Sequence, residues 1–404
     1  MSFSLVACLF VSASIYLFSS SEEKWAAQPS MSLAQALGGD TTGFARADIS
    51  RALTFPDDHG PHPAYRTEWW YYTGNLQTKA GRHFGFQLTF FRTALSPELN
   101  PKSNAKAAAR ASQASAWSTS QVYMAHFALS DVAPQQFHTF QRLSRAALEL
   151  AGASAMPFRV WLEDWSVEGH TATALPMHLR AGEEDVWLDL TLTSDKPVVL
   201  QGDNGLSQKG RSEGNASYYY SLTRLQTSGV IQVGAEEFKV QGLSWMDREW
   251  STSVLDDTLV GWDWFALQLS TGQELMFYQL RQAQERSNDF SRGTLIESDG
   301  TTQPLASDQL QIEVLETWRS PRLGAVYPAK WRLRIPSRDI DLTITPHMAD
   351  QEMHTLIRYW EGAVRVQDSQ HGQRQHPITG HGYVELTGYS EKKDQKTVSF
   401  GRGF

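Results

Sequence analysis

The stretch HFGFQLTFF, residues 83–91, alternates bulky apolar side chains with polar or small ones. Phe84, Phe86, Leu88 and Phe90 recur with a period of two, which is the periodicity of a β-strand with one buried face. The same alternation occurs in VYMAHFAL, VWLDLTLT, FALQLS, LMFYQL, KWRLRI and DIDLTI, and turn residues such as those of TKAGR, QGDNG, STGQ and ESDGT separate these runs. Short alternating strands joined by turns predict an all-β fold of antiparallel barrels or sandwiches.

Helical patterns are scarce along the chain. The clearest is RLSRAALELA at 142–151, which predicts one short helix, and a second short helical piece is expected within a tether at 21–50. The segment 96–120 is rich in alanine, serine and polar residues and has little to bury, so it predicts an exposed, mobile loop between strands. A lid and a disordered insertion are the two alternatives for this loop.

Two parts of the chain resemble each other. GNLQTKAGRHFGFQLTFFR and FALQLSTGQELMFYQLR each have the order strand, glycine turn, strand, and the tryptophan-rich acidic stretches TEWWYYT and VGWDWF precede them. This likeness predicts two β domains of similar design, 51–230 and 231–395, joined near residue 230. Each domain would carry tryptophan and acid near its first strands.

The composition limits the classes of function. The 404-residue chain carries a formal net charge of -8, whereas a nucleic-acid-binding surface or a polybasic membrane patch would be basic. The 14 Trp, 19 Phe and 13 Tyr residues suit either a large β core or a pocket for an apolar ligand. The charge therefore argues against a nucleic-acid partner, and the aromatic content leaves core packing, its more common use, and an apolar-ligand pocket as alternatives.

The apolar run FSLVACLFVSASIYLF at 3–18 has the length of a signal-peptide core and is short for a membrane-spanning helix. No Lys or Arg precedes it, and its LVAC, which holds the only cysteine, Cys8, is similar to a bacterial lipoprotein box. We interpret residues 1–20 as a signal peptide or N-terminal anchor. We expect an exported protein, periplasmic or secreted, that meets the membrane only through this segment, and a cytoplasmic protein is the alternative.

Several familiar site motifs are absent or incomplete in the sequence. No G-x-S-x-G run is present, so the sequence offers no serine nucleophile elbow. GLSQKGRS at 205–212 is similar to a phosphate-binding loop, but Arg211 stands where that loop needs lysine, and the segment predicts a hairpin turn. His59 and His62 lack a third nearby ligand, so we expect no metal and no cofactor.

Carboxylates beside tryptophans recur and are the strongest chemical pattern in the sequence. A carboxylate walled by indole rings loses water, which raises its pKa and makes it a proton donor near neutral pH. Aromatic faces also stabilise a neighbouring cation, so these parts could protonate an alkene and hold the carbocation. The alternative is structural, with each acid paired to an arginine or capping a strand end. The acids are Glu68, Asp164, Asp247, Glu249, Asp263 and Glu361, and the candidate arginines are Arg66, Arg248, Arg281 and Arg358.

Four longer stretches carry a family resemblance: HPAYRTEWWYYTGNL, VYMAHFALSD, GLSQKG with ASYYYSLTRL, and GLSWMDREWSTSVL with GWDWFALQL. Over roughly residues 50–390 the chain resembles the lipocalin-like family that groups carotenoid 1,2-hydratases with exported proteins of the AttH type, and it is most similar to the AttH branch. The resemblance implies two tandem lipocalin-like β-barrels that face each other around an apolar ligand cavity. It also implies an association with ABC-transporter components.

The resemblance carries only part of the hydratase site. The hydratase pattern has an aromatic–His–Asp–His run where this chain has Trp245, Met246, Asp247 and Arg248, so the aspartate is matched and both histidines are absent. Tyr278 falls where the resemblance implies a catalytic tyrosine. Hydratases of this family add water across an isoprenoid double bond.

Two functions follow from these patterns. The first is acid-catalysed hydration, isomerisation or cyclisation of an isoprenoid, polyene or other apolar ligand. The second is a non-catalytic carrier that exchanges a hydrophobic molecule with an ABC transporter, and a serine-type hydrolase is not expected. The predicted catalytic residues are Asp247, Asp263 and Tyr278. The predicted ligand-binding residues are Trp245, Trp262, Trp264, Arg248, Glu249, Glu68, Trp70 and His126, with the core as the alternative place for His126.

Overall fold

The computed structural model describes residues 31–32, 40–97, 119–252, 259–282, 289–370 and 375–389. The predicted leader at 1–20 lies outside these ranges, as do most of the tether and of the loop predicted at 96–120. In the described part of the chain, no helix is long and apolar enough to cross a membrane.

The described residues form 23 strands, which carry almost all of the regular structure. In chain order they are β1 (Met31–Ser32), β2 (Thr67–Gln77), β3 (His83–Ala94), β4 (Gln121–Asp131), β5 (Gln136–Arg145), β6 (Ala151–Ala155), β7 (Phe158–Leu162), β8 (Trp165–Gly169), β9 (Met177–Glu183), β10 (Val186–Thr193), β11 (Val199–Leu200), β12 (Leu206–Gln208), β13 (Ala216–Val233), β14 (Glu236–Ser251), β15 (Leu259–Leu269), β16 (Glu274–Gln282), β17 (Arg292–Ile296), β18 (Thr302–Ala306), β19 (Gln311–Arg319), β20 (Val326–Ile335), β21 (Ile340–Pro346), β22 (Ile357–Asp368) and β23 (Thr379–Thr387).

The strands build two sheets. The first has the order β5-β4-β3-β2-β14-β13-β10-β9-β8-β7-β6, with β11 and β12 also paired to β13. The second has the order β18-β17-β16-β15-β23-β22-β21-β20-β19, with β1 added in parallel to β22. One sheet curls into a nearly closed barrel and the other into a half-barrel, so the prediction of an all-β fold with two lipocalin-like barrels is confirmed.

The sheets change at a different point from the one the sequence indicated. The predicted boundary near residue 230 lies inside β13, and β13 and β14 pair from Tyr218↔Trp250 to Val233↔Glu236 within the first sheet. The sheet changes only after Ser251, because β14 also pairs with β2 along its whole C-terminal half. That pairing joins the last long strand of the first sheet to its first long strand.

The internal likeness corresponds to equivalent hairpins. β2 and β3 form one hairpin and β15 and β16 the other, and each hairpin opens its own sheet. The turns contain Gly81 at φ +86° and Gly272 at φ +82°, a left-handed conformation that glycine adopts without a steric penalty. In each sheet the opening strand also pairs with the closing strand, β14 or β23.

The predicted helix at 142–151 is wrong. β5 runs through Arg145, which pairs with Val122 of β4, so cross-strand hydrogen bonds already satisfy the backbone there. Leu148 and Glu149 then adopt positive φ, which ends any helical path. The helical elements among the described residues are two 3-10 turns, Asp57–His59 and Pro336–Arg338, and residues 40–50 hold no helix.

Each sheet encloses its own apolar core, which the strand alternation creates. Phe84, Phe86, Leu88 and Phe90 of β3 all lie in the first core and are fully buried. The second core takes residues such as Phe265 and Leu267 of β15. Because side chains on a strand alternate between faces, the remaining residues of these strands form the contact between the two sheets.

Candidate functional site

A third cluster of buried residues lies between the two sheets. It joins Tyr71, Tyr219 and Trp245 of the first sheet to Trp264 and Tyr278 of the second. Tyr71 and Trp264 meet edge to face with ring centroids 5.1 Å apart. The sheets therefore pack on each other through aromatic side chains that point away from both cores.

A pocket opens in this cluster and encloses about 720 Å³, part of it continuous with solvent. Aromatic and aliphatic side chains form most of the wall, with four ionisable groups among them. The apolar part is formed by Trp69, Tyr71, Phe91, Tyr219, Trp262, Trp264, Tyr278, Leu280 and Tyr359, and the ionisable groups are Lys209, Asp247, Glu249 and Glu385.

Asp247 is the acid of the pocket that the sequence singled out. It is 3 % exposed and accepts hydrogen bonds from Tyr219 Oη (2.6 Å), Ser221 Oγ (2.5 Å) and Trp245 Nε1 (2.7 Å). Burial raises its pKa from 3.8 to about 7, against the lowering effect of these three donors. Asp247 therefore exchanges a proton near neutral pH.

Glu249 and Lys209 form an ion pair beside Asp247. The Lys209 ammonium lies 3.3 Å from Glu249 Oε1 and 4.1 Å from the centre of the Tyr278 ring. Burial acts to lower the pKa of Lys209, but Glu249, Tyr278 and Asp247 together outweigh it, so the net pKa is raised. Lys209 is therefore a buried, charged ammonium that touches an aromatic wall of the pocket.

Glu385 contributes a second buried acid from the opposite sheet. It pairs across strands with Trp264 of β15 and with Glu361 of β22. Burial raises the pKa of both glutamates, and the nearby charge of Glu385 raises that of Glu361 further. Glu361 Oε1 accepts a 2.7 Å hydrogen bond from Tyr71 Oη, whereas Glu361 Oε2 and Glu385 Oε1 have no donor among the described residues.

Several predicted residues meet at this pocket. Trp262, Trp264 and Tyr278 line it together with Asp247 and Glu249. Tyr278 Oη lies 3.1 Å from Ser207 Oγ, and Trp264 Nε1 donates to Tyr219 Oη at 3.2 Å. Trp245 is buried behind the residues that line the pocket, where its indole N–H donates a hydrogen bond to Asp247 and its ring packs on Trp264.

Asp263 does not join them, although it lies between two tryptophans that line the pocket. Its side chain leaves the opposite face of β15 and accepts hydrogen bonds from Arg281 Nε (2.9 Å) and Tyr389 Oη (3.0 Å). The prediction that Asp247 and Asp263 act on one ligand is therefore corrected, because consecutive residues of a strand face opposite sides.

Arg248, Glu68 and Trp70 likewise face the first core rather than the pocket. Arg248 and Arg92 both form short ion pairs with the fully buried Glu68. The Arg248 guanidinium also lies 3.9 Å from the centre of the Trp70 ring, and Trp70 Nε1 donates to His59 O at 3.0 Å. These three residues therefore take part in a buried ion-pair cluster of the first core, which is the structural role that the sequence left open as the alternative.

His126 lies in the contact between the sheets, one residue away from the pocket wall. Its Nδ1 is 2.8 Å from Tyr359 Oη, and Tyr359 lines the pocket. Complete burial lowers its pKa to about 4, so the ring is neutral at pH 7. His126 positions a lining residue and does not line the pocket itself.

The pair His59 and His62 supports the first core. His62 lies 2.9 Å from Asp58 Oδ1 and 3.2 Å from Glu68 Oε2, and it stacks on Trp250 with ring centroids 3.9 Å apart. His59 Nδ1 is 2.6 Å from Tyr220 Oη. The two rings thus have carboxylate and phenol partners in the core.

Sequence reasoning missed two ionisable groups of the pocket. Lys209 belongs to the segment that predicted a hairpin turn, and β12 does pair in antiparallel fashion with β13 there. Glu385 has no tryptophan beside it in sequence, because its tryptophan neighbour Trp264 lies on another strand. A search for acids next to tryptophans in sequence could find neither residue.

The fold and the pocket define a lipocalin-like β protein with an aromatic, acid-containing site between two sheets. The AttH-like family profile matches residues 46–389, and the chain belongs to the AttH-like family. No curated protein sequence matches the chain.

Solved structures share this architecture. A Nitrosomonas europaea protein described as AttH is 37% identical, with a TM-score of 0.73, and the match covers 86% of this chain and 100% of that one. Kievitone hydratase from Nectria haematococca is 16% identical, with a TM-score of 0.61 and coverage of 86% and 96%. CghA with Sch210972 is 14% identical, with a TM-score of 0.50 and coverage of 87% and 97%. The last two matches show a common fold.

Proposed function

We propose that this protein binds an apolar, isoprenoid-like or polyene ligand between its sheets and protonates a carbon–carbon double bond of that ligand. The reaction is a hydration, isomerisation or cyclisation. The observation that carries the proposal is that Asp247 and Glu385, two buried acids with raised pKa, line the same aromatic pocket. Carboxyl groups that are kept neutral near pH 7 can serve as proton donors.

The surroundings of the two acids support different roles. Asp247 is held by three hydrogen-bond donors, which favour its ionised form and suit a proton acceptor. Glu385 Oε1 has no donor among the described residues, and burial outweighs a hydrogen bond from Trp262 and so favours the neutral form of Glu385. We assign Glu385 as the proton donor and Asp247 as the base that receives a proton.

In a hydration, the Glu385 carboxyl would give its proton to one alkene carbon, leaving a carboxylate and a carbocation. The faces of Trp262, Trp264 and Tyr278 would stabilise that cation. A water molecule would then form the new carbon–oxygen bond and pass a proton to Asp247, and proton return to Glu385 completes the cycle. In an isomerisation or cyclisation, loss of a ligand proton to Asp247 replaces the attack by water.

The relatives that share the fold support the proposal. One of them is named a hydratase, and hydration is one of the three outcomes proposed here. The residues that would do the chemistry come from the pocket of this chain alone. Export to the periplasm or the exterior, expected from the leader, is also part of the proposal.

The test uses lycopene, an acyclic polyene, and the purified protein in water labelled with ¹⁸O. We expect a product that has gained the label or changed its double-bond pattern, detected by mass spectrometry and chromatography. Glu385→Gln and Asp247→Asn should each lower turnover about 10²- to 10⁴-fold, the usual contribution of a positioned acid or base. Quenching of tryptophan fluorescence measures lycopene binding separately, because tryptophans line the pocket.

Asp263→Asn is the matched control, since Asp263 is a buried acid between the same tryptophans but faces away from the pocket. This variant should turn lycopene over like the wild type. Full activity in both Glu385→Gln and Asp247→Asn would show that neither acid takes part in the reaction.

A non-catalytic carrier is the second candidate. The hydrogen bonds and the ion pair that the pocket acids form with other residues of the protein favour it. Asp247 and Glu249 already have protein partners, as expected for charges that stabilise a binding pocket. As a carrier, the protein would exchange its hydrophobic ligand with ABC-transporter components. Lycopene that quenches the tryptophans but is recovered unchanged would support the carrier and contradict the enzyme.

A further inference from the structure

Three histidines meet at the seam between the two sheets. His83 begins β3 of the first sheet, His347 follows β21, and His381 lies on β23 of the second sheet. One ring nitrogen from each histidine lies within 4.8 Å of those of the other two. His347 Nε2 and His381 Nδ1 are 3.4 Å apart. None of the three lines the pocket.

We propose that His83, His347 and His381 bind a divalent transition-metal ion of the zinc class and thereby join the two sheets. Imidazole suits zinc, copper and nickel. Zinc binds histidine nitrogen at about 2.0–2.1 Å, so two nitrogens of a tetrahedral site are about 3.3–3.4 Å apart. The His347–His381 separation already matches this spacing.

The third ring is oriented by a buried amide. His83 Nε2 lies 3.0 Å from Asn75 Oδ1, while Asn75 Nδ2 donates to Gly382 O at 2.9 Å. The donated bond fixes which end of the Asn75 amide is the oxygen, so His83 Nε2 must carry a hydrogen to bond it. That leaves the lone pair of His83 Nδ1 free, and a carbonyl oxygen behind a histidine is the usual support of a metal ligand.

The rings must turn slightly for binding. They are stacked at interplanar angles of 15° to 29°, whereas lone pairs that converge on one ion need tilted planes. His381 is exposed and His83 and His347 are half-buried, so the rings have room to turn. Water would complete the coordination on the exposed side.

The neighbouring charge does not prevent binding. Arg365 pairs with His381 across β22 and β23 and is exposed, so solvent screens its charge. The backbone around the ligands is held in place: His347 N donates to Ala363 O at 3.0 Å, and His83 and His381 belong to paired strands. A metal here ties β3 to β23 and stabilises the contact between the sheets.

The experiment uses the full chain without an affinity tag, stripped of metal by a chelator and titrated with zinc chloride in a calorimeter. We expect one zinc ion per chain and a rise in the melting temperature on zinc addition. His83→Ala and His381→Ala should each weaken zinc binding at least 100-fold and remove the rise. Asn75→Ala should weaken it about 10- to 100-fold, the usual effect of losing a supporting partner.

His170→Ala, which removes an exposed histidine outside the cluster, is the matched control and should bind zinc like the wild type. His381 is exposed, so its alanine variant should fold, and melting in the absence of zinc checks that it does. Absence of zinc binding by the wild type would overturn the proposal. So would unchanged zinc affinity in His381→Ala.

Discussion

Two buried carboxylates on neighbouring strands, Glu68 and Asp247, have opposite protonation behaviour. Both are nearly inaccessible to solvent, and each lies within two residues of a tryptophan in sequence. The charges of Arg92 and Arg248 outweigh burial at Glu68 and hold its pKa well below the usual range, whereas burial raises the pKa of Asp247 to about 7. The comparison shows that burial alone does not make an acid reactive, because the partner decides which form is stable.

The largest effect is expected when the charged partner of the two arginines is removed. Glu68→Gln leaves Arg92 and Arg248 inside the first core without their shared carboxylate. An uncompensated buried charge costs about 3–5 kcal/mol, so the free energy of unfolding should fall by about that amount in urea denaturation. A loss below about 1 kcal/mol would contradict the expected cost of leaving these two arginines buried without a carboxylate.

Asp247→Asn should stabilise the protein relative to the wild type, in contrast to Glu68→Gln, and only at higher pH. Between pH 4 and 7 the folded protein keeps a proton on Asp247 that the unfolded chain has released, so stability falls as pH rises through this window. The total change is up to about 4 kcal/mol for a shift of about three pKa units. The melting temperature of Asp247→Asn should therefore fall less than that of the wild type between pH 4 and 8. Parallel curves for the two proteins would contradict the raised pKa.

Lys209→Met tests whether a neighbouring positive charge lowers the pKa of an acid in the pocket, as the arginines do for Glu68 in the first core. Removing the ammonium takes a positive charge away from Glu249 and Asp247, which both raise the pKa of Lys209. The pKa of Asp247 should rise by roughly one unit, about 1.4 kcal/mol. Carbon-13 NMR of labelled aspartate carboxyls can measure it, and an unchanged or lower pKa would refute the link.

Asp263→Asn should have the smallest effect on the pocket. It weakens the bonds from Arg281 and Tyr389, so we expect a loss of about 1–2 kcal/mol in the free energy of unfolding. Tryptophan quenching by lycopene should be the same as in the wild type. A tenfold loss of lycopene binding would place Asp263 in the site after all.

Much of the fold could be predicted from the sequence. The period-two alternation in β3 and the glycine turns of two similar hairpins are local features, and they correctly indicated an antiparallel β protein. The long matching stretches indicated the family, which is confirmed. The boundary near residue 230 failed, because β13 and β14 continue the first sheet through pairing with distant β2.

The candidate site was only partly predictable. Asp247 and Trp264 reach the pocket as anticipated, but Asp263 and Arg248 point to other sides of their strands. Glu385 enters the site only through pairing between strands that are far apart in sequence. The predicted catalytic roles, the export and the transporter partnership stay predictions.

The sequence by itself determined which residues share a strand face, since side chains alternate with a period of two whatever surrounds them. It also brought acid and tryptophan together in WMDREW, residues 245–250. Only the tertiary structure decided which face meets the two buried arginines of the first core and which meets the other sheet. That choice depends on long-range pairing and packing, so Asp247 gained an aromatic pocket while its neighbour Arg248 gained Glu68.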